Sequence, residues 1–174
     1  MDFRAVALPV GRLMVLLSLF MLVPAAADLM VGNPDWVGFA VSALIVGCFG
    51  SVATLAFLEK DHRLGIRETL VLVNGAWLAF SLAGALPLYL SGLDLSLTDA
   101  VFEAASGLTT TGATVLTGLD HLPPGILLWR SLLQWVGGIG IVVLGIWLLP
   151  GLRVGGSQLF AIESSEPSSK PYGR

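Results

Sequence analysis

In the stretch Leu108-Thr109-Thr110-Thr111-Gly112-Ala113-Thr114-Val115, the main chain itself is the reactive chemistry. Four of these eight residues are threonine and one is glycine, a composition that resists a helix and favours extended or irregular backbone. Such a segment presents carbonyl oxygens, and rings of carbonyls can replace the hydration shell of a monovalent cation. The residues before it, Leu97-Thr98-Asp99-Ala100-Val101-Phe102-Glu103-Ala104-Ala105-Ser106-Gly107, are helix-compatible. Ser96 with Asp99 three residues on forms a capping box, and Gly107 predicts the stop. That helix is about 15 Å long, roughly half a bilayer core. Its C-terminal end turns partial negative charge toward the Thr/Gly segment, which favours a cation. The expected path is helix in, turn, extended segment out. Irregular backbone at membrane depth is tolerated only where protein buries it or where it lines a water-filled path. The same spacing also describes an ordinary extracellular loop rich in threonine.

Two long apolar runs, 69–90 and 125–149, flank the stretch and must position it. The whole 174-residue chain is of the same character, with 55 % hydrophobic and 12 % charged residues and a mean hydropathy of +0.86. Soluble domains carry about twice that charge, so an integral membrane protein is expected. Residues 13–27, with the apolar 5–10 before them, give a first span that Pro24 kinks or ends. The Arg-bearing start and Ala25-Ala26-Ala27 also fit a cleaved signal peptide. A turn at 29–35 leads to a second span, 36–58, with Gly38, Gly47 and Gly50 as small packing positions. A charged loop occupies 59–68, the third span 69–90, the re-entrant segment 91–124, and the fourth span ends at Pro150. Residues 151–174 read as a solvated linker. The expected fold is therefore all-α integral membrane: four transmembrane helices plus one re-entrant pore helix and loop. Its three parts are a leading pair with its loop (1–68), a helix–pore helix–loop–helix unit (69–150) and a tail (151–174).

Apart from Arg130, the lysines and arginines fall in three regions. Arg4 and Arg12 lie at the start, Lys60, Arg63 and Arg67 in the middle loop, and Arg153, Lys170 and Arg174 in the tail. Four spans put all three on one side, and the positive-inside rule makes that side, with both termini, cytoplasmic. The opposite side carries Asp28, Asp35, Asp94, Asp99, Glu103 and Asp120 and its loops hold no Lys or Arg. These acids either concentrate cations at the outer mouth or simply solvate loops.

Phe102 to Val115 resembles the pore-helix and filter signature of the TrkH/KtrB potassium transporters. The resemblance continues through Trp129-Arg130-Ser131-Leu132-Leu133-Gln134-Trp135-Val136-Gly137-Gly138-Ile139-Gly140-Ile141, then Leu149-Pro150, Gly155-Gly156 and Gln158-Leu159-Phe160, with Glu163 just beyond. The hydropathy order agrees with the family's along nearly the whole chain. The family is built from four helix–pore-loop–helix repeats behind a leading helix pair, so the chain resembles its N-terminal part. The resemblance implies K⁺ uptake across the plasma membrane, with the carbonyls of Thr110, Thr111, Gly112 and Ala113 facing the ion. No cofactor is implied beyond the transported ion. The implied partners are the bilayer, the remaining pore repeats or other copies of the chain, and a cytosolic nucleotide-binding regulator. Two alternatives stand beside this: a non-conducting scaffold or remnant, and a homotetrameric cation channel.

Gly112 is the position where unusual dihedrals are most needed. Arg130 is a lone cation near the outer end of the fourth span, and a charge there needs a partner or must reach the headgroups. Glu103 is the expected partner, bracing the re-entrant loop against the fourth span. Gly137, Gly138 and Gly140 form either a kink beside the ion path or a site of close helix approach. Asn74 is expected to bond across helices, and Cys48 to be a small buried apolar residue. Hydrolytic chemistry is disfavoured because His62 and His121 both lie in loops and no paired carboxylates face each other on adjacent spans. A single cysteine gives no internal disulfide and no zinc cluster. Nothing resembles a basic nucleic-acid face.

Overall fold

The computed structural model describes residues 3–57 and 66–163, with no strand among them. The elements are α1 (Phe3–Val31), α2 (Trp36–Ala56), α3 (Ile66–Tyr89), α4 (Leu97–Leu108), a single 3₁₀ turn (Leu119–His121) and α5 (Pro124–Glu163). Four segments are long and apolar enough to cross a bilayer: Val6–Val31, Trp36–Ala56, Glu68–Tyr89 and Pro124–Val143. α4, at 12 residues, is too short to do so. The protein is thus an all-helical membrane protein with four spans and one short inserted helix. Lys60 and Arg63 lie outside the described residues, as do Lys170 and Arg174 and the side chains of Arg4, Arg67 and Arg153. The charge asymmetry therefore rests on the sequence alone.

The chain divides into two compact units, Met1–Gly138 and Ile139–Arg174. In the second, the helix does not stop at Pro150 but runs to Glu163, so the linker expected from residue 151 is helical over its first part. Pro9 and Pro24 likewise sit inside α1, and Pro87 inside α3. A proline deletes one backbone hydrogen bond, but ending a helix in apolar surroundings would leave several groups unpaired.

α1 ends instead at Gly32, whose φ of +74° places it in the left-handed region. The Asn33 amide donates to the Asp28 carbonyl (2.9 Å) and the Gly32 amide to the Leu29 carbonyl (3.2 Å), the paired bonds of a Schellman cap. The chain then reverses, and α2 packs antiparallel on α1 through small residues. A Cβ at Gly50 would press on the Gly11 carbonyl and the Val15 amide, and one at Gly47 on the Ser18 hydroxyl. Without a hydrophobic force between helices in lipid, this close approach is what dispersion requires.

The core of the first unit joins all the helices. Leu17, Met21, Phe39, Val46, Leu88, Ile126, Trp129 and Leu133 are all buried. Trp129 is the central tie. Its ring meets Phe39 edge-on at 6.2 Å, and its indole N–H donates to the Gly84 carbonyl at 2.9 Å. Outward-facing residues such as Leu16, Leu19, Leu44, Phe49, Val52 and Leu78 are apolar too, as a surface in contact with lipid must be. Cys48 belongs to this outward set and is exposed, not buried as expected. α2 is apolar all round, so hydropathy could not say which side of it faced inward. Asn74 is also exposed and donates to the Leu70 carbonyl of its own helix (2.8 Å), not across helices.

Candidate functional site

α4 is started as the sequence predicts. The Ser96 hydroxyl accepts from the Asp99 amide (3.1 Å) and donates to the Asp99 carboxylate (2.6 Å). Its inner face, Ala100, Glu103, Ala104, Ser106, Gly107 and Leu108, is buried. Two glycines let it seat there. Gly107 lies where a Cβ would meet the Leu133 Cβ at 3.3 Å, and a Cβ on Gly137 of α5 would collide with the Leu108 carbonyl. Gly107 therefore serves packing and does not terminate the helix, which runs on to Leu108.

The stop falls at Thr110, with a φ of +57°. The Thr110 amide donates to the Gly107 carbonyl (2.9 Å) and the Thr111 amide to the Ser106 carbonyl (3.0 Å), a second Schellman cap. Here a β-branched residue occupies the left-handed position that glycine normally takes, a strained choice of the kind that clusters at functional sites. Gly112 is left-handed again at +77°, while Thr111 between them is not. Among the described residues, nothing beyond its chain neighbours lies within 4 Å of a Cβ built on Gly112, so its conformation alone calls for glycine there.

The consequence is a sorting of polar groups. The amides of Thr109, Thr110, Thr111 and Gly112 all point back onto the carbonyls of Ala105, Ser106 and Gly107. Alternating handedness gathers successive N–H groups on one side of the chain and sends the carbonyls to the other. Among the described residues, the carbonyls of Thr110, Thr111 and Gly112 accept no hydrogen bond. The Ala113 carbonyl differs from these three, because it accepts from the Ser106 hydroxyl at 2.6 Å and so is turned toward α4.

Beyond Ala113 the chain is held by Glu103, buried on α4. Its carboxylate accepts from the Thr114 hydroxyl (2.9 Å to each oxygen), from the Val115 amide (3.1 Å) and from Arg130 Nε (2.6 Å). The ion pair is thus formed, with side chains 1 % and 15 % exposed, and it ties α5 to the returning segment as well as to α4. Of the glycines on α5, Gly137 makes the close approach to Leu108, and a Cβ built on Gly138 would lie 4.0 Å from the Thr110 methyl. Gly140 falls in the second unit and is exposed, so it shares in neither contact. The helix is unbroken through all three.

Several acids expected at an outer mouth are engaged as acceptors. Asp28 is fully buried, and its Oδ1 accepts from the Gly125 amide at the start of α5 (2.7 Å), while Oδ2 has no partner among the described residues. Asp35 accepts from the Gly92 amide (3.0 Å). Asp94 and Asp120 remain exposed. Sequence reasoning missed the bonds made by Asp28, Ser106 and Thr114, each to a partner seven or more residues away. Only Trp129 beside Arg130, a polar-tipped ring next to a charge in an apolar run, carried a visible signal.

A family model described as TrkH, cation transport protein, matches residues 38–171. The Trk system potassium uptake protein TrkI of Halomonas elongata is 40% identical over 158 residues, covering 91% of this chain and 32% of the relative. TrkH of Vibrio parahaemolyticus is 39% identical over 168 residues, covering 96% of this chain and 35% of the relative. TrkH of Escherichia coli K12 is 40% identical over the same length and shares. The crystal structure of the potassium transporter TrkH from Vibrio parahaemolyticus superposes with a TM-score of 0.83 at 40% sequence identity, covering 90% of this chain and 34% of that one. The chain therefore spans about a third of the length of the relatives it matches.

Proposed function

The chain belongs to the TrkH family of cation transport proteins, and we propose that it supplies one quarter of a potassium-selective pore in the plasma membrane. The observation that carries this is the row of three carbonyls at Thr110, Thr111 and Gly112 that accept no hydrogen bond among the described residues, fixed by amides committed to the end of α4. A dehydrating cation needs oxygens already in place, because oxygens that must first be ordered discriminate less between ions. The α4 carbonyl end adds partial negative charge at the same point. No bond is made or broken, and the work is coordination and release.

One such segment contacts one side of an ion. The other oxygens come from further repeats of the same architecture, in sequence continuous with this chain or in other copies of it. The relatives named as Trk system uptake proteins support the ion and the direction of transport. The family resemblance further implies a cytosolic nucleotide-binding regulator on the side that carries the basic loops, with both termini there.

The test is K⁺-limited growth and K⁺ uptake in uptake-deficient cells expressing the protein as encoded in its own genome. Gly112→Ser, which forces a side chain into the left-handed region, is expected to lower uptake at least tenfold at equal membrane abundance. Uptake equal to the unmodified protein in that variant, or no uptake by either, would count against the pore.

A further inference from the structure

We propose that the Ser106 hydroxyl is a positioning group that sets the ion selectivity of the segment by holding the Ala113 carbonyl out of the ion's reach. This rests on the pore reading above.

Ser106 is the point to which three consecutive residues of the loop, Thr111, Gly112 and Ala113, are tied. Its carbonyl accepts from the amides of Thr111 (3.0 Å) and Gly112 (3.4 Å), and its hydroxyl donates to the Ala113 carbonyl at 2.6 Å. The side chain is buried, only 8% of the residue being exposed, so no water competes freely for that hydroxyl. The carbonyl and hydroxyl of one serine thus hold the segment at both ends of the Gly112–Ala113 peptide. Gly112, between these two ties, is left-handed, and none of the described residues crowds it, so side-chain packing does not hold the backbone there.

Two effects follow from that bond. It leaves three forward-facing oxygens instead of four on this segment, so this side of the outermost position contributes less field. It also stiffens the carbonyls next to it. The number of coordinating dipoles and the freedom of the filter to shrink around a smaller ion are the two quantities on which K⁺ over Na⁺ discrimination depends. Without the hydroxyl, the Ala113–Thr114 peptide, which carries the Ala113 carbonyl, is free to turn, adding an oxygen and letting the ring close on Na⁺. Thr109 also bonds near this corner, its hydroxyl donating to the Ala105 carbonyl at 2.8 Å, but it does not reach Ala113.

Ser106→Ala removes the hydroxyl and adds no volume, and Ser106→Thr keeps it. Uptake of K⁺ and Na⁺ is measured separately in the same cells, with KM and maximal rate for each and membrane abundance checked. The expected result for Ser106→Ala is a K⁺/Na⁺ uptake ratio lowered about fivefold, the factor that one hydrogen bond of ordinary strength supplies, with K⁺ transport persisting and Ser106→Thr restoring the ratio. An unchanged ratio in Ser106→Ala, or Ser106→Thr behaving like the alanine variant, overturns the assignment. As a second measurement on solubilised protein, K⁺ should raise the thermal midpoint more than Na⁺ does, by a margin that shrinks in Ser106→Ala. A margin that does not shrink overturns the assignment even if the variant transports too poorly to assay. Failure of the pore reading looks different: the unmodified protein then shows neither uptake nor any preference for K⁺.

Discussion

Removing the Glu103 carboxylate should loosen the loop and strand a charge at once. In Glu103→Ala the guanidinium of Arg130, whose side chain is 15 % exposed, loses its partner, and the Val115 amide and Thr114 hydroxyl lose their acceptor. Truncating one partner of a buried pair typically costs about 3–5 kcal/mol. The partial exposure of Arg130 favours the lower end, about 3 kcal/mol. Glu103→Gln keeps the shape and one acceptor oxygen, so charge-assisted bonds become ordinary ones at a cost of about 1–2 kcal/mol. A double-mutant cycle of Glu103→Gln with Arg130→Gln should give a coupling energy of about 1–2 kcal/mol, because once one charge is gone the other contributes little. The charge swap should restore only part of the loss, since an arginine at 103 cannot accept from the Val115 amide. The assay is unfolding in mixed detergent micelles with increasing SDS, followed by tryptophan fluorescence, with Trp129 adjacent to the pair as reporter. Coupling below about 0.5 kcal/mol, or full rescue by the swap, would refute the view that Glu103 holds Arg130 and the returning chain together.

Gly137→Ala should displace the end of α4, because its new methyl meets the Leu108 backbone, whereas the new methyl of Gly138→Ala has the Thr110 methyl, 4.0 Å away, as its nearest neighbour outside its own helix among the described residues. Thermal midpoints in detergent should fall by several degrees in the first and hardly move in the second, and equal midpoints would contradict the packing. Thr110→Gly relieves a left-handed β-branched residue and should stabilise the protein by about 1 kcal/mol in the same melt while making K⁺ uptake less selective, since strain and pre-organisation are then relaxed together. A loss of stability there would mean that Thr110 is not strained.

How much could be read from the residues alone differs from place to place, for physical reasons. The four spans and the start of α4 were legible because hydropathy and the Ser96–Asp99 cap are local signals. The Glu103–Arg130 pair was legible because an isolated charge in an apolar run has few ways to be satisfied. The end of α4 was misread. Gly107 has the residue type of a stop, but its lack of a Cβ is used against Leu133, and the reversal is forced on Thr110 by bonds to Ser106 and Gly107. Pro150 was misread in the same way, since proline lowers helix stability by an amount that the surroundings can override. The special status of the Ala113 carbonyl could not be seen at all, because it depends on which way a hydroxyl seven residues earlier points.

The bond from Asp28 to the Gly125 amide joins residues 97 positions apart. During synthesis the carboxylate at the end of α1 has no protein donor until the chain has grown past the beginning of α5. Until then that corner of the bundle must stay where water or a translocation channel can solvate it. The first hairpin can therefore cross the bilayer early, but the Asp28 corner at its turn is completed only late, and the arrival of α5 is the event that seals both that corner and the loop that α5 braces.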